Sequence, residues 1–418
     1  MAFQNYDKGR TRNDKPKMQQ YTVSYGPLSR SRLGHGGKTD AVRMLRRAST
    51  RFRWTREFSA AFGTPLPVDE ILNKHAPMVK NLSSRVQQLS NKQKEEFTEW
   101  RTDVDDTLER LLSCYTEKKF FPAIVGSAMS GLANSKEGSD VDVVLYSSME
   151  QHDIKRSRDS IMSSPSYSKK VLTGARDILK TSSLQYKTLV LLPSARFPIL
   201  KVQLFRKNKK ALVVDLMIDS MPNLRNSLFV QKCLQVDPRV HQLHLWVKQW
   251  LQVCGLVGSI QGLFSTYHTA LLVIHFLQYI DHPDMKPVLP LMLDHFPRDL
   301  SPDTPFSDIY TLGTSPASFD PSSLESPNKM SIGDLIVRFV DFYNRTELSE
   351  FELNIPTGKN VRRKDDEFQR IMMIDPYDSR SVCAVEQGVG RLSEACQQTY
   401  EMFSAGRGFQ VPFSFIRR

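Results

Sequence analysis

Residues 126–145 read GSAMSGLANSKEGSDVDVVL and residues 211–219 read ALVVDLMID, and these two stretches decide the fold. From Asp140 onward the first alternates as a strand does. Val141, Val143 and Leu145 fall on one face, and Asp140, Asp142 and Val144 on the other. Two carboxylates two residues apart on a strand leave the same face. Asp215 stands in the middle of an otherwise apolar strand-like run. Set on a neighbouring strand, it completes a cluster of three carboxylates. Such a cluster repels itself and needs positive charge. Two Mg²⁺ (or Mn²⁺) ions suit it, because they take hard oxygen ligands together with phosphates. Such ions activate an attacking hydroxyl and stabilise a leaving oxygen in an in-line displacement. Upstream, Gly126 and Ser127 make a turn whose free backbone N–H groups and hydroxyl suit a triphosphate. A lone DxD is weak, being often a solvated strand edge. The preceding GS turn and the later Asp215 argue against that bland alternative.

Working outward, FPAIVGS before the turn reads as a short buried strand, and TLVLLP and FPILKVQLF lie between the two aspartate strands as further β-runs. Residues 151–168 read as a polar, Ser-rich helix or loop. A compact mixed α/β sheet unit over 106–222 follows. Before it, Val68 to about Cys114 carries Leu82, Val86, Leu89, Phe97, Trp100, Val104, Leu108 and Leu111 at three- and four-residue steps, an amphipathic helical stripe. Residues 61–105 are read as N-terminal helices. After the sheet unit, residues 223–418 are helical in texture. Residues 296–330, rich in Pro, Ser and Asp, are read as a long loop. The fold class is therefore α+β.

Residues 1–60 read as a disordered basic arm. Residues 1–56 hold fourteen Lys/Arg against Asp7, Asp14 and Asp40, so +11 of the net +12 sits there. Few aliphatics accompany that charge, so the arm cannot bury enough surface to fold alone. Basic arms hold phosphate backbones by counterion release; a solubilising tail is the plain alternative. Asp7 and Asp14 argue against a mitochondrial transit peptide, which is acid-poor. No apolar run reaches the length of a membrane span: Thr269–Tyr279 is too short. Five cysteines without a CxxC pair give neither a zinc site nor a disulfide framework, and a reducing compartment is expected. The histidines, including His241, His244, His268 and His275, are scattered on helices and read as packing or surface residues.

Taken together, the GS turn, the DxD strand and the third aspartate resemble the DNA polymerase β-like nucleotidyltransferase superfamily. Within it, the chain is similar to the cytoplasmic-type (GLD-2-like) poly(A) polymerase and terminal uridylyltransferase family. SARFPILKVQLF resembles the strand before the third aspartate in that family. NLRNSLFVQKCLQVDPRVHQLHLWVKQW resembles its first central helix pair, and LFSTYHTALLVIHFLQ its nucleotide-facing helix. SIGDLIVRFVDFYNR and MIDPYD resemble the PAP-associated region. The likeness covers about residues 75–405. It implies a mixed-sheet palm over 106–222 and an α-helical central, PAP-associated domain over 223–418, with residues 61–105 packing on the central domain.

The resemblance also implies residue roles. Asp140, Asp142 and Asp215 would be catalytic and hold the metals. Gly126 and Ser127 would grip the triphosphate, and Asn226 and Ser227 would touch base and ribose. Lys248 matches the triphosphate lysine, or is a surface helix lysine. Thr266 and Tyr267 match a phosphate-binding hydroxyl and an aromatic that stacks on the base; Tyr267 in a core is the alternative. Asp375 and Asp378 match acidic positions near the base edge. Two departures stand out. Gln252 replaces a second lysine, whose contact Arg196 or Lys201 could supply. Ser381 stands where uridylyltransferases carry a histidine, which leaves room for a purine and favours ATP.

The expected activity is template-independent addition of AMP to RNA 3′ ends, with UTP use or mixed tailing as the alternative. A catalytically silent RNA- or protein-binding scaffold is a rival from another class, and all three aspartates speak against it. A sensor-type enzyme making a small oligonucleotide is a third, disfavoured by the PAP-associated region. No RNA-recognition motif, KH domain or zinc finger is visible, so an RNA-binding protein partner is expected. The expected location is the cytoplasm, with nucleus or mitochondrion as alternatives.

Overall fold

The structure, a computed structural model, describes residues 64–133, 140–147, 165–193, 198–207, 209–258, 262–315, 325–364, 368–377, 381–383, 388–410 and 412. The basic arm and Arg196 lie outside the described residues. The chain opens with helices α1 (Val68–Lys74) and α2 (Ala76–Thr116), then β1 (Phe121–Val125), α3 (Gly126–Ser130) and β2 (Val141–Tyr146). Helix α4 (Pro165–Thr181) precedes β3 (Tyr186–Leu192), β4 (Ile199–Leu204) and β5 (Leu212–Ile218). Helices α5 (Met221–Val236), α6 (Pro238–Val253) and α7 (Thr266–Gln278) follow. Next come α8 (Met292–His295), α9 (Pro297–Leu300), α10 (Phe306–Thr314) and α11 (Ile332–Arg345). A second set of strands, β6 (Phe351–Asn354), β7 (Lys359–Arg362), β8 (Met372–Ile374) and β9 (Ser381–Cys383), leads to α12 (Gly388–Ser404).

The larger sheet has the order β1-β2-β5-β4-β3, mixed because β2 and β5 run parallel while the other neighbours are antiparallel. One face is packed against the C-terminal half of α2 through Val104, Leu108, Leu111 and Tyr115, and against α4 through Leu172, Ala175 and Leu179. The opposite face is divided. At its β1–β2 side, Ala123, Val125, Val144 and Tyr146 join the larger helical core. Tyr146 meets Phe306 of α10 at 4.7 Å between ring centres. At its β5-β4-β3 side that face carries Asp215, Lys201 and the exposed Val190. The uneven covering follows from sequence. Residues 141–146 are apolar at all but one position, as a strand buried on both faces must be.

Helix α2 runs unbroken for 41 residues, roughly 60 Å at 1.5 Å per residue. Its first half feeds Val79, Leu82 and Val86 into the helical core and its second half feeds the sheet core. The expected boundary at residue 105/106 therefore falls inside a continuous helix. Helices α7 and α11 begin at capping boxes, Ser265 with His268 and Ser331 with Asp334, which satisfy backbone donors otherwise left open at a helix start.

Two expectations are corrected. The 296–330 stretch contains α9 and α10 rather than only loop. These helices are too short for a periodic pattern to emerge, and α10 forms because Phe306 and Ile309 find buried places. The C-terminal half is not purely helical either: strands of three and four residues form a sheet in the order β7-β6-β8-β9. It packs beside the end of α7, where Ile280 N donates to Gly358 O at 3.2 Å.

Candidate functional site

Sheet register assembles the site. Val125, Asp142, Asp215, Lys201 and Val190 are successive cross-strand partners on β1, β2, β5, β4 and β3. Cross-strand partners point to the same face, with strands about 4.8 Å apart, so two carboxylates and an ammonium stand side by side. Asp140, just before β2, joins them. Lys201 Nζ lies 2.8 Å from Asp140 Oδ2 and 2.9 Å from Asp215 Oδ1. Asp142 is the most deeply set. Burial, then the charges of Asp215 and Asp140, raise its pKa to about 6, against the opposing pull of Lys201. Burial also raises Asp215, while Lys201 draws it down.

The turn before the row is built around Asp142. Gly126 has φ +67°, and a Cβ placed there would lie 2.6 Å from Asp142 Oδ2. Glycine is required on both counts, backbone conformation and space. Its N–H is not open to a ligand, contrary to the expectation for this turn: it donates to Ser227 Oγ at 2.7 Å, and Ser227 Oγ donates to Asn223 O at 2.5 Å. Ser227 thus ties the turn to α5 and holds the sheet against the helices.

A cavity of about 300 Å³ opens beside the row. Gly126, Ser127, Asp142, Asn226, Ser227, Thr266 and Tyr267 line it, seven of the residues expected from sequence. Asn223, Met217 and Ser130 also line it and were not anticipated. Their signal in the sequence was only their spacing from expected residues, one turn before Ser227, two after Asp215 and three after Ser127. Asp375 is not on the wall. The residue is 4% exposed, and its carboxylate lies behind Tyr267 and Asn226. Tyr267 Oη donates to Asp375 Oδ2 at 2.7 Å, Asn226 Nδ2 donates to the same oxygen at 3.1 Å, and Tyr377 N donates to Oδ1 at 2.8 Å. Strand β8 of the small sheet, ending at Ile374, delivers that carboxylate. Burial and the adjoining Asp375 push the Tyr267 phenol well above its usual pKa, so it stays a donor. Lys248 lies on α6 and is not among the residues that line the cavity. Asp378 lies outside the described residues; Ser381 opens β9, and its side chain is not among those described.

The donor set suits a hard divalent cation. It is all oxygen, it is crowded with like charge, and in the structure a cation already lies between two of its members. Among the described residues no three His, Cys, Asp or Glu side chains converge as a ready cage; Lys201 stands between Asp140 and Asp215.

Comparison with known proteins agrees with this arrangement. Residues 81–233 match the family model described as the central palm domain of mitochondrial-like poly(A) RNA polymerase. Poly(A) RNA polymerase gld-2 of Caenorhabditis elegans is 26% identical over 316 residues, 72% of this chain and 26% of that protein. Poly(A) RNA polymerase GLD2 of Danio rerio is 26% identical over 248 residues, 57% of this chain and 45% of that protein. Over these stretches the chain is similar to GLD-2-type poly(A) RNA polymerases. It spans less than half the length of those two relatives. The fold is shared with the GLD-2/RNP-8 complex structure at TM-score 0.58 and 22% identity, covering 78% of this chain and 94% of that one. It is shared equally with Cid1 poly(U) polymerase bound to MgGTP, at TM-score 0.57 and 20% identity, covering 81% and 98%.

Proposed function

We propose that this chain is a template-independent RNA nucleotidyltransferase that adds AMP from ATP to RNA 3′ ends. The observation that carries the reading is the juxtaposition of the Asp142–Asp215 row with a cavity walled by Ser127, Asn226, Thr266 and Tyr267. On this reading residues 106–222 act as the catalytic palm and residues 223–418 as the central unit, with 61–105 packed on the latter. Asp140, Asp142 and Asp215 hold two Mg²⁺ or Mn²⁺ ions, which when bound neutralise phosphate charge and lower the pKa of the attacking hydroxyl. Asp215, opposite Asp142 in the sheet, orients the RNA 3′-hydroxyl and takes its proton. The 3′-oxygen bonds to the α-phosphorus of ATP as the bond to pyrophosphate breaks.

The protein's other groups bind and orient. Ser127 and Thr266 present hydroxyls to the phosphates, and Lys248 of α6 supplies a positive charge to them. Tyr267 stacks on the base, a contact worth roughly 1–3 kcal/mol, and Asp375 fixes its angle together with that of Asn226. Gly126 keeps Asp142 in place. Asp378 and Ser381 would border the base edge. The basic arm holds the RNA backbone, and an RNA-binding protein partner supplies target choice; the GLD-2 structure was likewise obtained in complex with RNP-8. The enzyme works in the cytoplasm.

The test is extension of a labelled RNA primer with each nucleoside triphosphate separately and in competition. Efficient extension with ATP, and a smaller rate with UTP, is expected. Preference for UTP would replace the adenylate reading with the uridylyltransferase one, which the equal likeness to Cid1 keeps in view. No extension with any nucleotide would sink both.

A further inference from the structure

We propose that Lys201 is the resident counter-cation of the aspartate cluster, and that a divalent cation must displace its ammonium in order to bind. The inference rests on the reading of Asp140, Asp142 and Asp215 as cation ligands. Backbone register puts Lys201 directly opposite Asp215, so its side chain leaves the same face. The stem reaches past Asp215 to Asp140, and Nζ lies within 3 Å of an oxygen of each. Asp142 is drawn by the same ammonium, which alone opposes the burial and the two carboxylates that raise its pKa. Among the described residues Lys201 is the one cation paired with these carboxylates.

A metal dication and an ammonium cannot share this space. At the spacing of neighbouring strands they repel strongly wherever water is partly excluded. Binding is therefore an exchange in which the ion gains oxygen ligands and Lys201 loses two ion pairs. Lysine suits such an exchange, because its charge is compact and its stem is flexible, so it can swing away without strain. An arginine would hold two carboxylates in a rigid, bidentate fork and yield less readily. Lys201 is thus a positioning residue. It keeps Asp140 and Asp215 together in cation-free protein and sets how tightly the cluster takes an ion.

The experiment measures Mn²⁺ affinity without nucleotide, by electron paramagnetic resonance of free Mn²⁺, for the full chain and for K201M, K201R and D142A. Thermal melts with and without Mn²⁺ check folding. The expected result is tighter binding in K201M, by several-fold up to about tenfold, since two partly exposed ion pairs no longer need breaking. K201M should also melt lower than wild type without ion and gain more from its addition. K201R should bind Mn²⁺ more weakly than wild type, and D142A should bind least. Equal affinity in K201M and wild type, or weaker binding in K201M, overturns the exchange. If D142A still loses binding in that case, the aspartate site itself stands. Binding that is absent throughout, or unaffected by D142A, overturns both the exchange and the site.

Discussion

The sheet and the helical region both bury titratable groups, but under opposite charge logic. On the sheet, Asp142 and Asp215 are set side by side with one lysine to relieve them, and burial raises both. In the helical region buried and half-buried histidines are held neutral. His241, His268 and His275 are pushed down to about 4 and His244 to about 3, chiefly by burial. Their partners are neutral groups: Ser90 Oγ for His241 at 2.7 Å, and Tyr343 Oη for His275 at 3.2 Å. One region therefore keeps more negative charge than its single lysine balances. In the other, the buried imidazoles are kept uncharged, and buried charges such as Asp375 and Arg225 are tied into hydrogen bonds. The first is built for binding and the second for support.

The sharpest way to break this contrast is to take one charge out of the row. D142A is expected to reduce nucleotide addition by on the order of 10³-fold, since several kcal/mol of metal-assisted stabilisation is lost at 1.36 kcal/mol per decade. It should also raise the melting temperature in the absence of divalent ions, because a buried carboxylate among like charges goes with it. Primer extension and a thermal melt on the same preparation check both. Near-normal activity, or a fall in melting temperature, would mean that the row is not a charge store.

The row was half legible in the sequence. Strand periodicity alone put Asp140 and Asp142 on one face, and Asp215 stood out against an apolar run. The register that makes Asp142 and Asp215 neighbours could not be read, because parallel pairing joins segments 73 residues apart and no turn links them. In the sequence Lys201 reads only as a substitute phosphate contact, since its partnership with Asp215 exists only through that same sheet. Tyr267 and Asn226 were recognisable by family likeness. Their support, Asp375, follows a three-residue strand in a sheet whose outer strand is KNVR, too short and too charged to announce a sheet. The long α2 stripe was legible, but not that one helix serves two cores, because amphipathicity does not say which surface covers which half.

Two glycines probe the contrast at smaller scale. At Gly126 a Cβ would strike Asp142 Oδ2 at 2.6 Å, and φ is +67°. At Gly333 in α11 a Cβ would come within 2.5 Å of Val79 O and Ser83 Oγ, the close crossing of α11 over α2. G126A should shift a carboxylate, and a displacement of about 1 Å can cost roughly 10²-fold in rate. Its stability loss should be about 1–2 kcal/mol, the cost of a left-handed conformation for an L-residue. G333A should lose about 1–3 kcal/mol by overpacking while keeping its activity per folded molecule. Rate and melting temperature measured on both variants would refute the division if G333A lost the larger share of rate.

Acid is the gentlest probe, and the two regions answer it with opposite sign. A histidine whose folded pKa lies near 4 and whose ordinary value is 6.5 takes up its proton more readily in the unfolded chain. The stability it contributes is complete above about pH 6.5 and is lost as pH falls toward 4. Asp142 is the reverse. Its folded value near 6 exceeds the ordinary 3.8, so its cost is felt as pH rises through that interval and is relieved on acidification. Four histidines outnumber the raised carboxylates of the row, so the net slope follows the helical region. Melting temperature without divalent ions should fall steadily between pH 7 and pH 5. His241 faces Ser90 and Lys94 of α2 and His244 of its own helix. Replacing it by asparagine, H241N, should lower stability at pH 7 yet flatten the slope below pH 6.5 by up to one proton, about 1.36 kcal/mol per pH unit. D142A should steepen the same slope, because the opposing carboxylate is gone. A melting temperature that rises on acidification, or a slope unchanged in both variants, would show that these buried groups do not set the acid response.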